Sequence, residues 1–222
     1  MASRDYLQQV RGRLPDLSIG PREGRRSLLV AKSLEAEMNM WELPELYAAW
    51  PFRLVGVTQP NTLTLARDTW DTIPAYLARL CKQDMSWMAT IVDMAALGWP
   101  AEAQQRAVDK LSDRRAQVRF PAFFGPGHDW LPDHNWGGCA MVGLQEMLVA
   151  AQPEAKSKIL LFPAWPKDWD VDFKLHTTGQ TIVECSYRHS QVVKPAVTPS
   201  SRAPATLNML GKNPPSEPAP AR

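Results

Sequence analysis

The 222-residue sequence predicts a mainly α-helical domain followed by a small antiparallel β unit. Residues 1–40 show little periodicity, but between about residues 60 and 152 apolar residues recur at intervals of three and four, which is the spacing of an amphipathic helix. Over about residues 154–198, short segments alternate apolar and polar residues, as half-buried strands do. Residues 199–222 are rich in proline and poor in apolar residues, so we expect a disordered tail there.

The first helices are delimited by prolines. The aromatic segment 41–57 contains two prolines and predicts a short helix followed by a buried turn. Asn61–Thr62 can cap a helix that ends before Pro74. Another helix is expected over about residues 76–82.

A helical hairpin is expected next. Residues 85–97 carry apolar residues at helical spacing, and Gly98 suits the C-cap. Pro100 suits the first position of the following helix. The residues of that helix expected to face inward are Ala103, Ala107, Val108 and Leu111.

The last helix and the strands follow a Pro/Gly-rich loop. A further amphipathic helix, ending before Pro153, is predicted by the spacing of Met141, Leu144, Met147 and Leu148. Four β-rich segments then follow, and the region of Gly179 can turn one strand into the next. In the third segment, Thr181, Val183, Cys185 and Tyr187 share one face of the predicted strand.

Composition excludes several classes of protein. A net charge of +2 gives no strong attraction to nucleic acid or to an anionic membrane. No apolar run reaches the ~18 residues of a membrane helix, and no secretory signal is visible at the N-terminus. The three cysteines form no CxxC pair, so they are expected to be small buried hydrophobes rather than zinc ligands or a disulfide framework. No cofactor motif is present.

The loop Arg119–Gly138, RFPAFFGPGHDWLPDHNWGG, carries the candidate functional residues. Its prolines and glycines exclude a regular helix or strand. Aromatic faces beside carboxylates suit a sugar, whose C–H face stacks on a ring while its hydroxyls form hydrogen bonds. The candidates for contact with a sugar are His128, Trp130, His134, Asn135 and Trp136.

Other readings of these residues stay open. The two tryptophans either line a sugar subsite or pack as core and lid. The histidines either bind sugar hydroxyls or bind backbone carbonyls. A metal site is not expected, because the spacing of the acidic residues and histidines is unfamiliar and no third histidine is near.

Three segments in order resemble the C-terminal end of the family 95 glycoside hydrolases, which are inverting α-L-fucosidases, and of their relatives. ELYAAWPFRLVG (45–56) is similar to the aromatic LYxxxP segment of the family. PDHNWGGCAMVGLQEMLV (132–149) is similar to its DGNFGGTAGIAEMLLQ segment. KILLFPAWPKDWDVDFKLH (158–176) is similar to the LLPALPxxW segment that opens its C-terminal β domain.

The resemblance implies a fold and a catalytic residue. The family's catalytic domain is a six-hairpin (α/α)6 barrel, so residues 1–153 are expected to form the C-terminal half of such a barrel, with the β unit at 154–198. Asp133 matches the family's base-side aspartate. The residue can instead cap the helix that follows it, since it precedes a predicted helix N-terminus.

The expected function is that of a C-terminal fragment of a glycoside hydrolase acting on a glycan and inactive alone. An inverting enzyme needs a general acid as well as a base. No residue matches the family's general acid, because Glu42 and Glu45 lie within the aromatic segment rather than before it. The alternative is a non-catalytic remnant, or a carbohydrate-binding or structural partner of a second polypeptide. The expected partners are a glycan and an upstream polypeptide that supplies the rest of the barrel. Relatives are expected to be exported.

Overall fold

A computed structural model of the protein describes residues 3–33, 42–73, 88–112, 135–152 and 158–211. Over these ranges the chain forms helices α1 (Arg4–Arg11), α2 (Leu63–Asp71), α3 (Thr90–Leu97), α4 (Pro100–Ser112) and α5 (Asn135–Leu148). The strands are β1 (Ile19–Arg22), β2 (Arg25–Leu28), β3 (Val149–Ala151), β4 (Ile159–Leu161), β5 (Val171–Thr177), β6 (Thr181–Arg188), β7 (Gln191–Thr198) and β8 (Thr206–Asn208). Short 3₁₀-helices cover Pro44–Ala48, Pro60–Thr62 and Ser200–Ala205.

The hairpin β1–β2 packs on α2. The two strands are antiparallel and are joined by a turn whose Gly24 has a φ of 76°. The Thr69 hydroxyl of α2 accepts the backbone N–H of Leu28 at 2.8 Å, and the Ser27 and Thr72 hydroxyls lie 3.0 Å apart. These buried polar contacts satisfy groups that water cannot reach.

Helices α3 and α4 form the predicted hairpin. Gly98 ends α3 in the left-handed conformation, with a φ of 71°, and α4 begins at Pro100 as expected. Every residue of α3 is buried. Such a helix must be covered on all sides, and α4 and α5 each contact it.

A glycine brings α5 close to α3. A Cβ placed on Gly143 of α5 would lie 2.5 Å from Cγ2 of Ile91 and 2.6 Å from its Cβ. The missing side chain therefore sets the distance between the two helices.

The C-terminal part contains two three-stranded sheets. β5, β6 and β7 form an antiparallel meander, in which Thr177 of β5 pairs with Thr181 of β6 across the turn at Gly179. In the second sheet β4 lies between β3, to which it is antiparallel, and β8, to which it is parallel. The predicted alternation of β6 is confirmed, because Thr181, Val183, Cys185 and Tyr187 are all buried.

One core joins the helices to the sheets. Its buried members include Leu46, Met94, Met147, Phe162 and Tyr187. The Phe162 ring lies with its centroid 5.2 Å from that of Tyr187. The helical part and the β part therefore share an interior.

The expected partial (α/α)6 barrel is wrong. Helices α3, α4 and α5 contact one another, and the core they share also includes Ile159 and Leu161 of β4. The core of these helices thus continues into a sheet, and no large helical barrel is evident in the described ranges. Across the described ranges, eight strands in three small sheets stand beside five α-helices, so the protein is a mixed α and β fold.

The expected disorder beyond Pro199 is wrong for Ser200–Asn208, which forms a 3₁₀-helix and β8. Pairing with β4 gives this segment backbone partners, and the N–H of Met209 also donates to the Leu161 carbonyl at 2.9 Å. Residues 212–222, the rest of the predicted tail, lie outside the described residues.

The inward faces of α4 and α5 differ from those predicted. Val108 and Leu111 are 42% and 49% exposed, while the buried stripe of α4 is Ala103, Ala107 and Lys110. The Lys110 Nζ donates to the Met88 carbonyl at 3.2 Å, so a charged residue occupies an inward position that hydropathy assigns to solvent.

The prediction for α5 holds only in part. Met147 and Leu148 are buried as predicted, but Met141 is 61% exposed, and the small residues Ala140 and Gly143 face inward as well. The small residues on this face permit the close approach of α3.

No helix in the described part of the chain has the length and apolar character required to cross a membrane.

Candidate functional site

The sequence-predicted site falls mostly on residues that the structure does not describe. His128, Trp130, Asp133 and His134 lie outside the described residues, so their roles stay predictions. The predicted helix after the loop is confirmed, but it begins at Asn135, so residues 135–138 are helical rather than part of the loop as predicted. Asn135 is exposed at the start of that helix, and Trp136 follows in its first turn.

An aromatic pocket of about 340 Å³ lies between the segment 42–53 and the start of α3. We define the aromatic pocket by the residues of its lining that can contact a ligand through a ring, a carboxylate or a hydroxyl. They are Glu42, Tyr47, Trp50, Phe52, Thr90 and Asp93.

Local sequence explains how the aromatic wall forms. Pro44 begins the 3₁₀-helix Pro44–Ala48, where the fixed φ of proline suits the first turn. Leu46 and Ala49 are fully buried in the core. Tyr47 and Phe52 are exposed, and they form part of the pocket wall.

Two acidic residues face the aromatic pocket from different elements. The Tyr47 hydroxyl donates to a carboxylate oxygen of Glu42, which fixes the two side chains against each other. Asp93 is buried in the first turn of α3, a favourable location for negative charge because the helix N-terminus is positive. Thr90 and Asp93 are three residues apart, which places them on one face of that helix.

Glu45, the other carboxylate of the aromatic segment, has a structural role. Its side chain is 3% exposed and forms an ion pair with Arg22 at 3.0 Å. Glu45 therefore ties the hairpin β1–β2 to the 3₁₀-helix and does not line the aromatic pocket.

A second cavity, the polar pocket, has a volume of about 450 Å³. It lies between the segment 50–53, the C-terminal half of α5, and the ends of β3 and β5. We define it by the polar residues of its lining, which are Arg53, Gln145, Glu146, Gln152, His176, Thr177 and Thr178.

The main charged groups of the polar pocket, Arg53 and Glu146, neutralise each other. Nη2 of Arg53 donates to both carboxylate oxygens of Glu146, each at 2.8 Å. Arg53 has a φ of 51°, which is uncommon for a residue with a side chain. The pair thus joins the aromatic segment to α5 and holds a backbone conformation that needs support.

The two pockets meet at Trp50 and Pro51, which line both of them. Trp50 is half-buried and packs against the core. Its contact with the core limits the freedom of the ring to turn away from either pocket.

Some of these residues carried a signal in the sequence. Thr90 and Asp93 form a polar pair on a helix that is otherwise apolar, and buried polar residues need a reason. Arg53, Gln145, Glu146 and His176 carried none, because they come together only through the contact between the aromatic segment, α5 and β5.

Within the described ranges, no group of three or more His, Cys, Asp or Glu side chains is placed to hold a metal ion.

Comparison of the chain with protein-family models, with curated proteins and with solved structures gave no match.

Proposed function

We propose that this protein binds a glycan in the aromatic pocket and acts in the hydrolysis of a glycosidic bond. The observation that carries the proposal is the convergence of aromatic rings and two carboxylates in one pocket. A pyranose ring presents a C–H face that stacks on aromatic side chains, and its hydroxyls donate to carboxylates. The pocket volume falls within the range of about 300–1,000 Å³ for small-molecule sites.

The residue types also suit the chemistry. Glycoside hydrolysis uses one carboxylic acid to protonate the leaving oxygen and one carboxylate to activate water or attack the sugar. Glu42 and Asp93 bring two carboxylates to the same pocket as candidates for the water-activating role, whereas no residue matches the family's general acid. Asp133, the base-side residue by resemblance, lies outside the described residues and stays a candidate for the base-side carboxylate.

A second candidate function is that of a glycan-binding subunit that works with a second polypeptide. It is favoured by the large apolar side chains left exposed on α4 and α5, which are Val108, Leu111, Met141 and Val142. Exposed apolar residues that are adjacent on helices are typical of interaction surfaces.

Binding is tested with Phe52→Ala and a matched control. Phe52 lines the pocket and is 62% exposed, so its removal leaves the core intact. Tyr6, on α1, is 57% exposed and is not part of the pocket, so Tyr6→Ala is the control. An aromatic stacking contact contributes about 0.5–1.5 kcal/mol, which predicts a loss of affinity of roughly twofold to tenfold.

The measurement is calorimetry or saturation-transfer NMR with methyl glycosides of fucose, galactose, glucose, mannose and xylose and with their neutral oligosaccharides. We expect at least one of them to bind, and Phe52→Ala to weaken that binding while Tyr6→Ala does not. Absence of binding to the whole panel, or equal effects of the two substitutions, would overturn the proposal.

Hydrolysis is tested separately with aryl glycosides of the same sugars. We expect slow turnover by this chain alone, since loss of general acid assistance lowers rates by about 10²- to 10⁴-fold. Glu42→Gln keeps the size of the side chain and can still accept from Tyr47, and it is expected to abolish any activity seen. Binding with no turnover under any condition, including after addition of a polypeptide that carries the missing acid, would support the non-catalytic subunit instead.

A further inference from the structure

The N-terminal helix α1 has an apolar face that the described chain leaves exposed. Tyr6, Leu7 and Val10 lie together on this face, since residues three and four apart are neighbours on the surface of a helix. All three side chains are exposed, and no residue of α1 is buried. A helix of this length is marginal in water unless packing stabilises it, so the face requires a partner.

Basic residues border this apolar face. Arg4 lies three residues before Leu7, and Arg11 lies four residues after it, so both are next to Leu7 on the helix surface. Both arginines are exposed, and neither has an ion-pair partner in the described part of the chain. Asp5 is five residues before Val10, which places this acidic residue away from the apolar face.

An open groove of about 530 Å³ lies between the C-terminal end of α4, the middle of α5 and the segment 165–170. We call it the acidic-rimmed groove and define it by four apolar side chains and two carboxylates of its lining. They are Val108, Leu111, Leu144, Trp169, Asp168 and Asp170. The described residues of this lining include no lysine, arginine or histidine.

The two carboxylates of the groove keep their negative charge. Asp168 accepts from the side-chain amide of Gln104, with Nε2 at 3.3 Å from each carboxylate oxygen. Asp170 accepts from the backbone N–H of His189 at 3.0 Å. Both donors are neutral, and neither carboxylate forms an ion pair within the described ranges. The rim of the groove is therefore negative.

We infer that α1 of one copy of this protein binds in the acidic-rimmed groove of a second copy, and that the reciprocal contact closes a dimer. An amphipathic helix that lays its apolar face into a groove is a recurring mode of recognition. The charges identify the occupant, because Arg4 and Arg11 border the apolar face of α1 while Asp168 and Asp170 border the apolar groove. A contact between two different surfaces closes into a dimer only when it is made twice.

The inference names an occupant for a surface that the second candidate function leaves to an unidentified polypeptide. Val108 and Leu111 belong both to that surface and to the acidic-rimmed groove. The inference does not depend on glycan binding in the aromatic pocket.

Self-association is measured by sedimentation equilibrium of the full chain, with no glycan present. We expect the average mass to rise with concentration towards twice the 24.9 kDa of one chain. Leu7→Glu should raise the dissociation constant at least about tenfold, because it replaces an apolar contact by a carboxylate that faces a negative rim. Leu54→Glu is the matched control, since Leu54 is 53% exposed, against 57% for Leu7, and belongs to neither surface.

A substitution in the groove tests the other half of the contact. Leu111→Arg should also weaken self-association, and arginine suits both a helix and the last turn of α4. A mixture of the Leu7→Glu and Leu111→Arg proteins should nevertheless form a 1:1 complex. In that mixture, the unaltered α1 of the second protein faces the unaltered groove of the first.

A third variant tests the contribution of charge. Arg4→Gln combined with Arg11→Gln keeps the apolar face and removes the cations beside it. We expect the dissociation constant to rise several-fold and to depend less on salt concentration. An unchanged dissociation constant would remove the argument that selects a second copy as the occupant.

The remaining outcomes assign each surface separately. A dimer that Leu7→Glu leaves intact would exclude α1, and one that Leu111→Arg leaves intact would exclude the groove. A protein that stays monomeric up to its solubility limit would overturn the inference, and Leu7-dependent binding to anionic vesicles would then assign the face of α1 to a lipid surface. Failure of the two variants to form a mixed complex would also contradict it. None of these measurements involves a glycan, so their failure is distinct from failure of the proposed function.

Discussion

Replacing Gly143 by alanine should destabilise the protein, although the same change stabilises an ordinary helix. In the interior of an isolated helix, Gly→Ala contributes up to about 1 kcal/mol of stability. At Gly143 the new Cβ would lie 2.5 Å and 2.6 Å from two carbons of Ile91, whereas carbon atoms in contact are normally about 3.5–4.0 Å apart. This steric collision outweighs the gain in helix propensity, so the substitution should lower the free energy of unfolding.

Ile91 cannot move aside cheaply. It is 1% exposed, it lies on a helix that is buried on all sides, and its β-branched side chain is held near one rotamer. Overpacking of a core costs about 1–3 kcal/mol. If the cost lies at the upper end of that range, the gain in helix propensity offsets about a third of it. The free energy of unfolding then falls by about 2 kcal/mol, which corresponds to roughly 4–8 °C in Tm for a protein of this size.

Gly138→Ala is the matched control on the same helix. A Cβ at Gly138 meets nothing within 4 Å, so only the gain in helix propensity applies there. Chemical denaturation followed by circular dichroism should therefore place Gly143→Ala below the parent protein and Gly138→Ala at or above it. Equal free energies of unfolding for the two variants would show that the packing of α5 on α3 is not as close as the structure indicates.

Three further outcomes follow from ion pairs and buried groups. Arg22→Met should lower the free energy of unfolding by about 3 kcal/mol in a denaturant titration, because it leaves the carboxylate of Glu45 buried without its partner. The pKa of Asp172 is lowered from its ordinary 3.8, chiefly by the hydrogen bond from Ser186. Its stabilising contribution is thus present above the unfolded pKa and lost as the pH falls through the folded one, and Ser186→Ala should raise the Asp172 pKa in an NMR titration. Burial raises the pKa of Cys185 to about 11, so iodoacetamide at pH 8 should modify this thiol in urea but hardly at all in the native protein.

The parts of the fold that the sequence predicted are those set by local chemistry. Gly98 ends α3 because glycine adopts a positive φ without a steric penalty. The alternation of Val183 and Cys185 with polar neighbours predicted a half-buried strand, since side chains point to opposite faces in turn. Neither inference required knowledge of distant residues.

The parts that could not be predicted depend on contacts between distant segments. The burial of Lys110 depends on the carbonyl of Met88, which the hydropathy of α4 cannot reveal. The barrel was expected from resemblance alone, whereas the core of the helices also includes residues of β4, which lie far along the chain.

In the candidate site, too, local sequence indicated some residues, while others depend on contacts between distant segments. The sequence drew attention to the loop that precedes α5, whose residues up to His134 lie outside the described ranges. The aromatic pocket instead combines Glu42 with Asp93, which are about 50 positions apart and meet only when the aromatic segment packs on α3. Periodicity identifies the face of a helix but not the segment that will cover it.

The parallel pairing of β8 with β4 has a consequence for synthesis of the chain. All three residues of β4 are buried, and one backbone edge of that strand is paired only by β8. The ribosome must add roughly 50 residues after β4 before β8 is complete, which takes about 2–10 s at 5–20 residues per second. During that interval the strand presents unpaired N–H and C=O groups beside apolar side chains, a combination that favours pairing with other chains. The nascent protein is therefore most prone to aggregation after its helices and first sheet strands have emerged and before its last strand has been made.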